Sequence, residues 1–194
     1  MTQQSSETAT ETAAIIPPVR LAHFVLRTSR FREVIDWYKT VLGAEAAFEN
    51  EILAFLSYDE EHHRVAVLNM PDLEEQKDGV AGFHHAAFTY DSLGDLMATY
   101  KRLRDVGITP VFPINHGPTT SMYYQDPDGN QIELQVDNYD NIEDATAFFY
   151  SRPSPRTRSA WSSTPKICCA ASRRARIRPC SSGGRISASA GSKR

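Results

Sequence analysis

Apolar positions along the chain fall into short blocks whose period switches between two and about 3.6, and the switch occurs twice in the same order. LAHFVLRT (21–28) has the composition of a strand. In SRFREVIDWYKTVLG, residues Phe31, Val34, Ile35, Tyr38, Val41 and Leu42 fall at helical spacing, and Gly43 stands where a left-handed residue can end the helix. AEAAFE, ILAFLSY and HRVAVLNM then read as three strands, the first with the weakest pattern, before the polar connector PDLEEQKDGVAG. FHHAAFTY restarts the series as a strand. SLGDLMATYKRLRDVG follows as a helix striped by Leu93, Leu96, Met97, Tyr100 and Leu103, with Ser92 and Asp95 as a capping box and Gly107 at its end. TPVFPI, TSMYYQD and QIELQV supply three further strands.

The recurrence is an internal repeat. His23 to Lys39 and His85 to Lys101 are both 16 positions apart, and the closing glycines Gly43 and Gly107 differ by a two-residue insertion. A strand–helix–three-strand half is too small to bury its own sheet face, so paired halves are required. The expected class is α+β: two βαβββ modules, about 19–70 and 80–138, forming one curved mixed sheet around a metal-binding cup, then a short extension to about residue 150. Spacing assigns Phe31, Trp37, Tyr38 and Phe83 to core packing. Asp59-Glu60-Glu61 reads as a solvated turn, and Asp126-Pro127-Asp128-Gly129 as turn chemistry.

Composition changes this picture at the two ends. No apolar run approaches the roughly 20 residues that cross a bilayer. MTQQSSETATETAA lacks the charge and apolar block of a secretory signal, so residues 1–18 are expected to be a disordered leader and the protein cytoplasmic. The net charge of −3 hides a division. Residues 1–150 hold all 24 acidic and 10 of the 21 basic side chains, whereas 151–194 hold 11 basic and no acidic ones. Cys168, Cys169 and Cys180 also lie in that last segment, so the first 150 residues have neither a disulfide framework nor a thiol nucleophile.

The candidate chemistry starts from Glu133, a lone carboxylate between Ile132 and Leu134 in an apolar strand. His23 and His85 occupy repeat-equivalent first strands. A single strand histidine is commonly just a satisfied core residue. Two at equivalent positions, with a carboxylate on a closing strand, make the donor set of the facial triad of non-haem Fe(II) oxygenases. The repeat aligns Ala66 with Glu133, so no fourth ligand arises there and about three positions of a six-coordinate ion stay open.

These residues carry a family resemblance. Ile114-Asn115-His116, five residues, Met122-Tyr123, two residues, Asp126-Pro127, one residue, Gly129, three residues, Glu133 is similar to the signature of type I extradiol ring-cleavage dioxygenases. The paired modules resemble the vicinal oxygen chelate (glyoxalase–bleomycin resistance) superfamily in its smaller, single-domain branch, over about residues 19–150. The resemblance implies an oxidoreductase that binds Fe(II) through His23, His85 and Glu133. Its substrates would be a catechol, including 2,3-dihydroxybiphenyl-like diols, and O2, with neither nucleic acid nor membrane as a partner. It implies that His116 and Tyr123 hydrogen-bond substrate or intermediate, and that His63 is the acid/base residue, with His62 the alternative. Exposed sheet edges would favour a homo-oligomer. Two other readings remain: a lyase or isomerase of the same superfamily using Zn, Ni or Mn, and a metal-free module that sequesters a small aromatic drug.

The segment 151–194 departs from the family. One reading is a basic tail for nucleic acid or membrane. The other is translation out of frame: read one base over, GC-rich codons for it can encode an acidic, amphipathic segment similar to the C-termini of such dioxygenases.

Overall fold

The computed structural model of the protein describes residues 14–77 and 79–151. The polar leader before residue 14, and the basic segment after 151 with its three cysteines, lie outside the described residues. The described residues form two compact units, one of those up to Phe83 plus the turn Asp126–Asn130, the other of His84–Gln125 plus those from Gln131 to Ser151.

The first unit runs β1 (Phe24–Thr28), α1 (Phe31–Leu42), β2 (Glu45–Glu49), β3 (Leu53–Ser57) and β4 (Val65–Asn69). Its sheet has the order β1-β4-β3-β2, with β1 parallel to β4 and the remaining pairs antiparallel. The apolar stripe of α1 determines the packing: Val34, Ile35, Tyr38 and Val41 are fully buried, together with Ala54, Leu56, Val65 and Val67 from β3 and β4. Strand alternation sends Ala66 to the opposite face, beside its pairing partners Val25 and Phe55. Gly43 ends α1 with φ +66°, as the left-handed position requires.

The turn Asp126–Asn130 belongs to this unit through real contacts. Arg30 donates to the Pro127 carbonyl at 2.6 Å. Asp126 is buried: its Oδ1 accepts from the amides of Asp128 and Asn130 at 3.0 and 2.8 Å. Its Oδ2 accepts from Asn130 Nδ2 at 2.8 Å and from the Tyr38 hydroxyl at 3.4 Å. The expected turn chemistry is present, with a buried anchor added. Burial raises the Asp126 carboxyl above its ordinary range against the pull of these hydrogen bonds.

The second unit repeats the pattern with β5 (His85–Thr89), α2 (Leu93–Asp105), β6 (Phe112–Asn115), β7 (Thr119–Gln125) and β8 (Gln131–Asp137), and adds α3 (Ile142–Tyr150). Its sheet order, β5-β8-β7-β6, is that of the first unit, again with the outer pair β5–β8 parallel. Ser92 caps α2 by accepting from the Asp95 amide at 3.1 Å. Leu96 and Leu103 of α2 are buried, as are Met122, Tyr124, Ile132 and Leu134. Alternation leaves Gln131, Glu133 and Gln135 on the other face of β8.

Two expectations need correction. Phe83 is 80% exposed rather than packed in a core, because it precedes β5 and no strand pairing fixes it. The strand reading of FHHAAFTY also starts too early, since His84 lies outside β5 and next to His85. The two Nδ1 atoms are 2.7 Å apart.

Candidate functional site

The register of the two sheets tests the repeat independently of sequence spacing. In the first unit Val25 pairs with Ala66, Ala66 with Phe55, and Phe55 with Phe48. In the second, Ala87 pairs with Glu133, Glu133 with Tyr123, and Tyr123 with Phe112. The rows correspond position by position, and Ala66 stands where the second unit has Glu133. One row is apolar throughout; the other carries a carboxylate and a phenol.

Glu133 is buried, although its strand face also holds Gln131 and Gln135. Its Oε2 lies 3.1 Å from His85 Nε2, and its Oε1 lies 4.0 Å from His116 Nε2. His85 opens β5, adjacent to β8 in the sheet, which is why its side chain reaches Glu133. The contact between His84 and His85 engages the Nδ1 of His85, leaving Nε2 as the nitrogen directed at the carboxylate. His116 sits in the three-residue connection between β6 and β7, with its Nε2 at 3.2 Å from the Tyr123 hydroxyl. Tyr123 is further fixed by Phe112, whose ring stacks on it with centroids 4.6 Å apart. Burial, then the negative charge of Glu133, push the Tyr123 hydroxyl up to about 12, so it remains a donor at neutral pH.

His23 and His63 form a separate cluster in the first unit. Their ring centroids are 4.2 Å apart, and His63 stacks on Phe55 at 4.3 Å. His23 directly precedes β1, while His63 precedes β4, the strand paired with β1. Burial, followed by repulsion from His23 and His62, lowers the His63 imidazole below its usual range. Its Nδ1 is 2.5 Å from that of His62, which is exposed and lies 3.6 Å from Glu61.

The structure therefore brings His85, Glu133, His116 and Tyr123 together in one unit, and His23 with His63 in the other. Among the described residues no three His, Cys, Asp or Glu side chains meet closely enough to cage an ion. Each unit supplies part of the expected ligand set, and neither supplies all of it. The donors that do meet suit a divalent transition metal: a buried carboxylate with two acceptor oxygens and an imidazole whose Nε2 faces it.

Residues 20–134 match the family model described as Glyoxalase/Bleomycin resistance protein/Dioxygenase superfamily. The chain is 54% identical to biphenyl-2,3-diol 1,2-dioxygenase 2 of Rhodococcus globerulus over 130 residues, 66% of this chain and 68% of that one. It is 49% identical to biphenyl-2,3-diol 1,2-dioxygenase 3 of the same organism over 133 residues, 68% and 70% of the two chains. Among solved structures, a glyoxalase/dioxygenase from Nostoc punctiforme superposes with a TM-score of 0.54 at 16% identity, covering 66% of this chain and 99% of that one. This last likeness concerns the fold alone.

Proposed function

The chain belongs to the Glyoxalase/Bleomycin resistance protein/Dioxygenase superfamily, and we propose that it is an Fe(II)-dependent extradiol dioxygenase that inserts both atoms of O2 into a catechol with meta ring cleavage. A 2,3-dihydroxybiphenyl-like diol is the substrate class that its relatives' names support. The observation that carries the reading is the buried Glu133 facing His85 Nε2 at 3.1 Å, on a sheet face shared with Tyr123 and close to His116.

In this reading His85 and Glu133 hold the iron, and His23, placed by the sequence repeat, is the third ligand. Fe(II), when bound, provides the path by which electron density passes from the diol to oxygen. The protein's own groups handle position and protons. Tyr123 keeps its proton and donates to a substrate or product oxygen, since Phe112 and the burial of β7 hold its ring in one orientation. His116 Nε2 exchanges a hydrogen bond with that hydroxyl, so the pair can follow a shift of charge on the diol without moving the backbone. His63 takes the proton released from the second diol hydroxyl. Its Nδ1 faces His62, which leaves Nε2 for the transfer.

The flanking segments are part of the same proposal: a leader over 1–18, the two modules with their short extension to 150, and a segment beyond 151 that arises from a shifted reading frame. The protein is proposed to be cytoplasmic and homo-oligomeric, without nucleic-acid or membrane partners. No helix among the described residues is long and apolar enough to cross a membrane. Anaerobic loading with Fe(II), followed by oxygen uptake over a catechol panel, tests the function. Uptake with a coloured ring-opened product is expected. No uptake across the panel, from this chain and from one with the frame restored, would contradict it.

A further inference from the structure

Resting on the reading that His116 contacts the substrate, we infer that Asn115, Thr120, Asn138 and Phe148 form a clamp that positions His116. The connection between β6 and β7 is only three residues, His116-Gly117-Pro118. The middle one has φ +97°, a conformation in which glycine avoids the strain of a side chain. Both polar backbone groups of Gly117 are taken by side chains. Asn115 Oδ1 accepts from its amide at 2.8 Å, and Asn138 Nδ2 donates to its carbonyl at 2.8 Å. The two asparagines are joined through the buried Thr120 hydroxyl, which accepts from Asn115 Nδ2 at 3.0 Å and donates to Asn138 Oδ1 at 2.8 Å. The four groups close a ring of hydrogen bonds around the residue that follows His116.

Two backbone contacts tighten the ring. The His116 amide donates to the Thr119 carbonyl at 2.9 Å, and the Asn138 amide donates to the Pro118 carbonyl at 2.7 Å. Phe148 of α3 covers the remaining side. A Cβ on Gly117 would collide with three Phe148 ring carbons, so the ring lies directly against the glycine. Ile142, Phe149 and Tyr150 of α3 are exposed, whereas Phe148 is half-buried against the loop.

A turn needs its backbone groups satisfied, but it does not need two side chains, a bridging hydroxyl and an aromatic cover to do so. What the assembly achieves is that the His116 backbone is held from both sides, leaving only side-chain torsions to place Nε2 at 3.2 Å from Tyr123. Catalytic groups lose on the order of 100-fold in rate for about 1 Å of displacement. Phe148 and Asn138 are therefore positioning residues that act through His116.

The test uses the full chain in two states. In iron-free protein, amide exchange at Gly117 should speed up at least about tenfold in Phe148→Ala and in Asn115→Ala, as expected when a local opening becomes easier. Phe148→Leu should restore protection. With iron, Phe148→Ala and Asn138→Ala should lower kcat/KM about 10- to 100-fold, with Phe148→Leu recovering most of it. In a His116→Ala background the same changes should cost less than about twofold further, because coupled residues are not additive. Losses that add undiminished in that background would overturn the inference, as would unchanged exchange at Gly117. Full activity of His116→Ala alone would refute the role of His116 in substrate contact, and the exchange experiment would still decide whether the clamp exists.

Discussion

Asp126 ties the turn Asp126–Asn130 to Tyr38 within the first unit, and removing its carboxylate has a calculable cost. In Asp126→Ala three hydrogen bonds of 2.8–3.0 Å disappear, two from backbone amides and one from Asn130 Nδ2, along with the longer one from Tyr38. A bond to a charged acceptor contributes roughly 1.5–3 kcal/mol, but the carboxylate also bears a desolvation cost that its raised pKa reveals. Discounting each short bond to about 1 kcal/mol, and the 3.4 Å contact to nearly nothing, gives a loss of about 3 kcal/mol. Urea unfolding followed by circular dichroism and by tryptophan emission measures it, since Trp37 packs edge-on against Tyr38. A loss below about 0.5 kcal/mol at unchanged slope would refute the anchor role. The pH dependence gives a second check. The folded pKa is raised, so the group's contribution is fully present below its unfolded value of about 3.9 and is lost as pH rises through the folded value. Asn cannot ionise, so the stability of Asp126→Asn relative to the original chain should increase from about pH 4 upward. A difference independent of pH would contradict the assigned desolvation.

Further outcomes follow from the same structure. Leu134→Ala, at a fully buried position of β8, should cost about 2–5 kcal/mol in urea unfolding, and a cost under about 1 would contradict its placement in the core. Glu133→Ala should fail to retain iron after anaerobic loading and desalting, measured by metal analysis; iron at the original stoichiometry would remove Glu133 from the ligand set. Sequencing the encoding DNA should reveal an uninterrupted acidic, amphipathic reading beyond residue 151 in the shifted frame, and stop codons in that frame would end the idea.

Much of this architecture is legible in the residues because physical requirements there are local. Gly43 and Gly107 mark helix ends through positive φ, and Ser92 caps α2 with its hydroxyl, which accepts from the Asp95 amide. Glu133 stands out because a carboxylate in an apolar strand is costly without a partner, and His85 is that partner. The features missed depend on tertiary context. Helix α3 buries none of its residues fully, so its apolar pattern resembles surface, and the available signal was Asn141 capping Asp144 at 2.8 Å. The composition of FHHAAFTY extends a strand to Phe83 and His84, but pairing begins at His85. No local rule reveals that the turn at Asp126 is held by Tyr38, 88 positions away in the chain. Likewise, the ring around Gly117 joins Asn115 to Asn138 through a single hydroxyl, which only the hairpin geometry brings within reach.

His23, His85 and Glu133 are proposed to hold an iron at which a catechol and oxygen react. Turnover of 2,3-dihydroxybiphenyl under 18O2 by anaerobically iron-loaded protein, with the product analysed by mass spectrometry, tests it most directly. A ring-opened product carrying both labelled atoms is expected from the original chain and not from Glu133→Ala. A product with one labelled atom or none, or equal turnover by Glu133→Ala, would contradict it.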